Sequence, residues 1–352
     1  SINIGDKGVK PADTYDRTIG TAKDSLFRIS KQAGDGKLRI SLLIDKTKVR
    51  VPRSAVEETI SEAMEDIVFG NLFPKPFIAS AERTGAAIFR NELNFSKNRL
   101  LEQIGTIKTE INPFEIISKV YSDYALPVKS NVDFTRQLEK LAKEESFVAK
   151  RHPDILADFS DIIGGDYQVT RSDELYYVPR GSKVKLTMDE SSSAVRSLLD
   201  IGFYLRHVAA PGDLLMVDEP ELNLHPANQR RVARLFSRLL QVGIKVFITT
   251  HSDYIIKELN TLILLNRDDS RLQALAEREG YRNDELLDYK RVCVYIAEES
   301  SIKLDGGSRK VKCKTLVAAH VDADTGIEAR SFDETIEDMN RIQDEIIWGG
   351  EA

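Results

Sequence analysis

Cysteine is nearly absent from this sequence: there are two in 352 residues, Cys293 and Cys313. Their separation fits no metal-binding pattern and excludes a disulfide scaffold. Both lie in apolar, strand-like stretches and are expected to be buried thiols. No apolar run approaches the roughly 20 residues that cross a bilayer. With no leader-like stretch either, a cytoplasmic protein without membrane contact is expected. Basic charge is not in excess, since 50 Lys and Arg face 56 Asp and Glu for a net charge of -6. A global positive field for nucleic acid is thereby excluded. Heptads do not persist, which excludes a long coiled coil, and no internal repeat or low-complexity tract is present. A phosphate loop is also lacking. Nowhere does GxxxxGK precede Ser or Thr; the nearest strings, "GDGKLRIS" and "GTIKTE", both lack the glycine spacing, and the first also lacks a hydroxyl after Lys.

What is present centres on "GDLLMVDEPELNLHP", Gly212 to Pro226. Leu214 to Val217 is apolar without alternation, which predicts a strand covered on both faces in a parallel sheet. Ligands of such sheets sit at the carboxyl ends of the strands, where Asp218 and Glu219 fall. One acid there could hold a metal ion while the other orients or deprotonates a water. An acidic pair before a proline also suits a plain solvated turn, so the following block decides. Pro226 opens a helix with Val232, Leu235, Phe236, Leu239 and Leu240 on one side, Arg230, Arg234 and Arg238 opposite, and Gly243 at its end. A second apolar strand, Ile244 to Ile248, then delivers Thr249, Thr250, His251 and Ser252. Strand, right-handed crossover and strand put both carboxyl ends on one sheet edge, with His251 near Asp218 and Glu219.

"LLMVDEPELNLHP" followed at this distance by "VFITTHS" resembles the Walker B, D-loop and switch-histidine segments of ABC-type ATPases. The resemblance is to their soluble bacterial branch classed with AAA ATPases, itself similar to the SMC-like repair ATPases and the overcoming-lysogenisation-defect nucleases. It implies an α/β fold: an ABC-ATPase-like nucleotide-binding domain with a parallel core sheet, an antiparallel β subdomain and a helical lobe. It also implies ATP and Mg²⁺ as cofactors, with Asp218 supporting the metal through water, Glu219 polarising the attacking water and His251 sensing the γ-phosphate.

The same family places a signature helix before the Walker B strand, where "MDESSSAVRSLLDIGFYLRH" stands. Ser192 aligns with the signature serine, and Ser193 and Ala194 replace the usual glycines. By resemblance Ser192 and Ser193 contact nucleotide on the opposite subunit, and a hydroxyl-bearing helix start suits a phosphate. A simple serine N-cap is the other reading. In "KPFIASAERTG" the family shows a similar phrase, so Arg83 belongs either to the nucleotide or dimer interface or to a surface turn. The missing phosphate loop is expected upstream of Ser1, in a longer protein. A non-hydrolysing scaffold without the loop is the alternative.

Four segments are expected. Residues 1–85 form the rest of a β-rich lobe, with a hairpin over Leu38 to Val51 and a helix from Ser54 through Ile67. Residues 86–190 form a helical lobe, broken at Pro113, Pro127 and Pro153, and then the connecting strands "DYQVT", "ELYYV" and "KVKLTM". Residues 191–266 hold the signature helix, Walker B, D-loop and switch-histidine core. Residues 267–352 complete the ATPase sheet, with a mixed-charge helix from Ser270 to about Tyr289, two strands, and a last helix over Asp333 to Ile347. A Toprim nuclease using Glu298 or Glu299 with Asp322 and Asp324 is disfavoured, because too few residues follow Glu299. The expected function is ATP hydrolysis in a homodimer or higher homo-oligomer that controls an effector protein, in bacterial anti-phage defence. A DNA-repair or DNA-loading ATPase is the alternative, with nucleic acid as the partner.

Overall fold

The computed structural model describes residues 14–20, 25–32, 38–42, 60, 61, 63, 64, 67, 74–90, 125–172, 174–303, 310–328 and 330–348. Its contacts divide the chain into two units, 1–76 with 104–123 and 77–103 with 124–352. In the first unit β1 (Tyr15–Gly20), β2 (Ser25–Lys31) and β3 (Arg39–Leu42) form an antiparallel sheet in the order β1-β2-β3. The first strand of the expected hairpin is present as β3. β3 pairs back onto β2, with Ile29 opposite Ile40, and the return strand Lys48 to Val51 lies outside the described residues. Of the helix expected from Ser54, residues Ile60, Ser61, Ala63, Met64 and Ile67 are helical, and Ala63 and Ile67 are buried. Ser54, Val56, Glu57 and Gly70 lie outside the described residues, as does Pro113.

The second unit begins with β4 (Pro76–Ala79), and a short helix, α1 (Arg83–Ile88), follows. Helices α2 (Leu126–Thr135), α3 (Leu138–Leu141), α4 (Phe147–Arg151) and α5 (Pro153–Ile163) come next. The break expected at Pro153 is present, since α4 ends at Arg151 and α5 opens at Pro153; Pro127 lies at the start of α2, and residues 91–124 before it lie outside the described residues. Each proline sits in the first turn of a helix, where the missing N–H costs no hydrogen bond. β5 (Gly165–Val169) and β6 (Leu175–Pro179) make an antiparallel hairpin, and of "KVKLTM" only Leu186 bridges to it, at Tyr177.

The expected signature helix is present in pieces: α6 (Ser193–Ser197), α7 (Leu199–Phe203) and a π turn over Tyr204–Val208. Leu198 leaves helical geometry between the first two. The inner side of this run supplies Val195, Leu198, Leu199, Ile201 and Leu205 to the core. Gly202 is needed there, because a Cβ would come within 2.6 Å of the Phe159 ring.

β7 (Leu214–Asp218), α8 (Pro226–Gln241) and β8 (Lys245–Thr249) follow as strand, crossover helix and strand. β7 and β8 are parallel in the register Leu214 to Lys245 through Asp218 to Thr249, and the sheet order is β4-β7-β8. Gly243, at a φ of 86°, turns the chain after α8. The buried side of α8, Val232, Leu235, Phe236 and Leu239, packs with Leu215, Val217 and Ile244. Unlike the strand expected over Leu214 to Val217, β8 is covered on one face. Val246 and Ile248 are half-buried, whereas Phe247 is 51% exposed. β8 is the outer strand of the described sheet and the core covers one face of it.

α9 (Asp253–Leu265) and α10 (Ser270–Arg278) come next. α10 stops well before Tyr289, and two short 3₁₀ turns take up the remainder. The last strands do not complete the parallel sheet. β9 (Tyr295–Lys303) pairs antiparallel with β10 (Lys310–Ala318), and β11 (Val321–Asp322) pairs with β12 (Gly326–Ile327), each as a separate two-stranded sheet. On β10, exposed and half-buried side chains alternate, the pattern of a ribbon covered on one side. The expected burial of both thiols is therefore wrong. Cys313 is half-buried on β10, and Cys293, in the loop before β9, is exposed. The final helix, α11, spans Arg330–Trp348.

Candidate functional site

The carboxyl edge of β7 and β8 gathers the acids and the histidine. Register puts Asp218 opposite Thr249, and the Thr249 hydroxyl donates to Asp218 Oδ1. Glu219 follows with a φ of 48°. A left-handed backbone costs a residue with a Cβ about 1 to 3 kcal/mol, and such positions cluster at functional sites. The turn is held by hydrogen bonds, with the Glu219 N–H donating to Thr249 O at 3.0 Å. His251 Nε2 stands 3.8 Å from Glu219 Oε1, and the two side chains are 87% and 34% exposed. Asp218, Glu219 and His251 are thus brought together as expected, on a face open to solvent.

Glu221, the second acid of the "DEPE" string, was given no role in the sequence reading. Its Oε2 accepts from Thr250 Oγ1 at 2.9 Å and its Oε1 from the His251 N–H at 2.6 Å. An ionised acceptor strengthens both bonds and fixes the loop that carries His251. The only signal for it was its place two residues after Glu219. Gln229 adds a further hold by accepting from Ser252 Oγ at 2.5 Å, and Ser252 caps α9 through Ile255 N.

Arg83 is 1% exposed, which overturns the surface-turn reading. Its Nε donates to Ser197 O at 2.7 Å, Nη1 to Ser80 O at 2.9 Å and Asp218 O at 2.5 Å, and Nη2 to Glu219 O at 2.8 Å. Every one of these acceptors is a backbone carbonyl, so Arg83 reaches the acidic edge through the backbone of Asp218 and Glu219. Burial lowers its pKa, and the carboxylates of Asp200, Asp218, Glu221 and Glu219 oppose that shift.

Asp200, on α7, is buried beside it and accepts from Asn131 Nδ2 at 3.0 Å and Thr135 Oγ1 at 3.3 Å. Burial raises its pKa to about 7, against the hydrogen bonds and the Arg83 charge that favour the ionised form. Asn131 also accepts from Ser80 N at 2.7 Å and donates to Ile78 O at 2.8 Å. The network therefore binds α2, α7 and the end of β4 together. Sequence reading could not find it, because Asn131, Thr135 and Asp200 carry no motif.

Ser192 and Ser193 stand apart from these residues. The Ser192 hydroxyl caps α6 by accepting from Val195 N at 3.3 Å, as the N-cap reading expected. Among the described residues, no hydrogen bond or ion pair joins Ser192 or Ser193 to Asp218, Glu219 or His251. The far end of α6 does reach the site, since Ser197 Oγ donates to Leu222 O at 3.0 Å, in the turn after Glu219.

Among the described residues, no group of three or more His, Cys, Asp and Glu side chains is placed to hold a metal ion. Asp322, weighed above for a nuclease site, instead organises a turn. It accepts from the N–H groups of Asp324 and Thr325, both at 2.7 Å, and its pKa is lowered by those bonds. No helix among the described residues is long and apolar enough to cross a membrane.

The family model of the AAA ATPase domain matches residues 43–256, more than half of the chain. No curated protein matches. Among solved structures, an SMC ATPase studied for ATP-driven dimerization and DNA-stimulated activation is similar at 16% identity and a TM-score of 0.29, over 58% of this chain and 96% of that one. An SmcHead bound to the C-winged helix domain of ScpA is similar at 16% identity and a TM-score of 0.28, over 68% and 63%. An Smc head domain with an extended coiled coil, bound to the C-terminal domain of ScpA from Pyrococcus furiosus, gives 19% identity and a TM-score of 0.22, over 66% of each chain. The match spans just under two thirds of the latter two structures, and the family assignment rests on the 43–256 match.

Proposed function

The chain belongs to the AAA ATPase domain family, and from that premise we propose that it is an ATP hydrolase of the SMC-like type. The observation that carries this reading is the meeting of Glu219 and His251, 3.8 Å apart, beside Asp218 on one strand edge. Glu219 polarises the attacking water as general base. His251, on a loop set by Glu221, contacts the γ-phosphate. The Asp218 carboxylate and the Thr249 hydroxyl beside it are hard oxygen donors, which suit Mg²⁺. Bound there, the metal would neutralise phosphate charge.

In the same reading the protein works as a homodimer or higher homo-oligomer that closes on nucleotide, with Ser192 and Ser193 meeting the nucleotide of the opposite subunit. Closure controls an effector protein, and the setting is anti-phage defence. The solvent-facing start of α6, with Ser192 and Ser193 both exposed, is consistent with contact in trans.

Glu219→Gln tests the catalytic role in the complete protein. The swap keeps shape and removes charge, so hydrolysis should fall by about 10² to 10⁴ while ATP binding persists. Hydrolysis at the parental rate would show that Glu219 is not the base. Ser192→Arg tests the contact in trans: light scattering should show loss of nucleotide-induced dimerisation with the fold intact. Unchanged dimerisation would remove Ser192 from the interface.

A further inference from the structure

The Arg83 guanidinium bridges two segments through the interior. One is α6, which starts at Ser193 and ends at Ser197, whose carbonyl accepts from Arg83 Nε. The other is the β7 edge, where the carbonyls of Asp218 and Glu219 accept from Nη1 and Nη2. Glu219 is the residue whose backbone is left-handed, at a φ of 48°. Relaxing that strain would rotate the peptide after Glu219, and its carbonyl is the one Nη2 holds at 2.8 Å. The arginine itself is seated rigidly. Ser80 O takes a second bond from Nη1, and Asn131 ties the Ser80 N–H to Asp200 on α7.

We propose that Arg83 is a positioning residue: it holds the strained backbone of Glu219 and joins it to the end of the signature helix, so that the start of α6 and the catalytic acid move as one body. The proposal rests on the reading of Glu219 as the base. It assigns Arg83 no contact with nucleotide, since the side chain is buried and four of its five N–H donors are spent on carbonyls. It also gives the cation a structural necessity, because a planar fork can serve carbonyls in three directions where a lysine ammonium, a compact point charge on a flexible stem, cannot.

The experiment compares the parental complete protein with Arg83→Lys, Glu219→Gln and the double variant, measuring kcat, KM, ATP affinity and the unfolding midpoint. Arg83→Lys should lower kcat about 10- to 100-fold, the scale of loss from a small misplacement of a reacting group. KM and ATP affinity should stay within about threefold, since uniform binding is untouched. In the Glu219→Gln background Arg83→Lys should add less than about twofold, because a residue acting through Glu219 has nothing left to position. Arg83→Gln is the second variant, scored per folded molecule, and should show the same split. Parental kcat in both Arg83 variants overturns the proposal. So does a rise in KM at constant kcat, which would make Arg83 a nucleotide ligand, or a full further loss in the double variant. If Glu219→Gln alone hydrolyses at the parental rate, the reading of Glu219 falls, and that is visible without any Arg83 variant.

Discussion

Arg238 and Arg83 are both almost completely buried in the same unit, yet their surroundings differ in kind. Arg238, on the crossover helix α8, meets the carboxylates of Asp154, Asp158 and Asp284, the last at 2.6 Å. Arg83 meets carbonyls and faces the buried Asp200 only at a distance. Carboxylates on α5 and on the turn after α10 clamp helix to helix, a stabilising task that tolerates any geometry with charge balance. Carbonyls on successive residues of one turn fix the backbone itself. Around α8 the chain is held in place, and at the β7 edge it is held in a conformation. The rest of the α8 face repeats the first theme. Arg230 and Arg234 both bind the buried Glu258 of α9 at 2.5 Å, and Arg234 lies 3.9 Å over the Tyr281 ring.

The largest effect expected from this contrast is on rate, not stability. Glu219→Gln should lower hydrolysis by about 10² to 10⁴ with an unchanged unfolding midpoint. A matching fall in stability would place Glu219 on the structural side of the divide.

Asp200→Asn comes next and reads the charge balance behind Arg83. The folded pKa of Asp200 is raised from 3.8 to about 7. Its contribution to stability is therefore complete below pH about 4 and is lost as pH rises through about 7, at about 1.4 kcal/mol for each unit of such a shift. The groups facing it are Arg83, Asn131, Thr135 and Tyr167. Denaturant unfolding of the parent and the variant across pH 4 to 8 should diverge, with Asp200→Asn the flatter of the two. Parallel curves would mean that Asp200 is ionised throughout.

Arg238→Met should cost about 2 kcal/mol of stability. That is less than the loss of a fully buried pair, because Asp154 and Asp284 are well exposed and can rehydrate. Hydrolysis per folded molecule should not change, and a fall in kcat would erase the distinction between the two arginines. Smallest is Arg230→Ala, at less than about 1 kcal/mol, since its side chain is half exposed and Glu258 keeps Arg234. Thermal unfolding checks both.

Elements with a strong period or a defined end were readable in the chain itself. The strand, crossover and strand from Leu214 to Thr249, the turn at Gly243 and the shared edge of Glu219 and His251 all follow from local apolar pattern and the hand of the crossover. The break at Pro153 was legible because proline disfavours helix interiors and favours helix starts, and Pro127 and Pro153 both stand in first turns. The partners of the α8 arginines were not readable: their spacing sets Arg230, Arg234 and Arg238 opposite the apolar stripe, and only the fold brings carboxylates of α5 and α9 against them.

What the sequence determined on its own, then, was order and periodicity: which segments are strands and helices around the site, and which end carries the acids. Only the tertiary structure decided that β9 and β10 pair with each other and leave the parallel sheet, that Cys293 is exposed, and that Glu221, Asn131, Asp200 and Arg83 serve the site from behind. The physical reason is range. Helical and strand periods are set by neighbours within a few residues, whereas a buried cation finds its acceptors across separations of 114 and 136 residues, which no local pattern records.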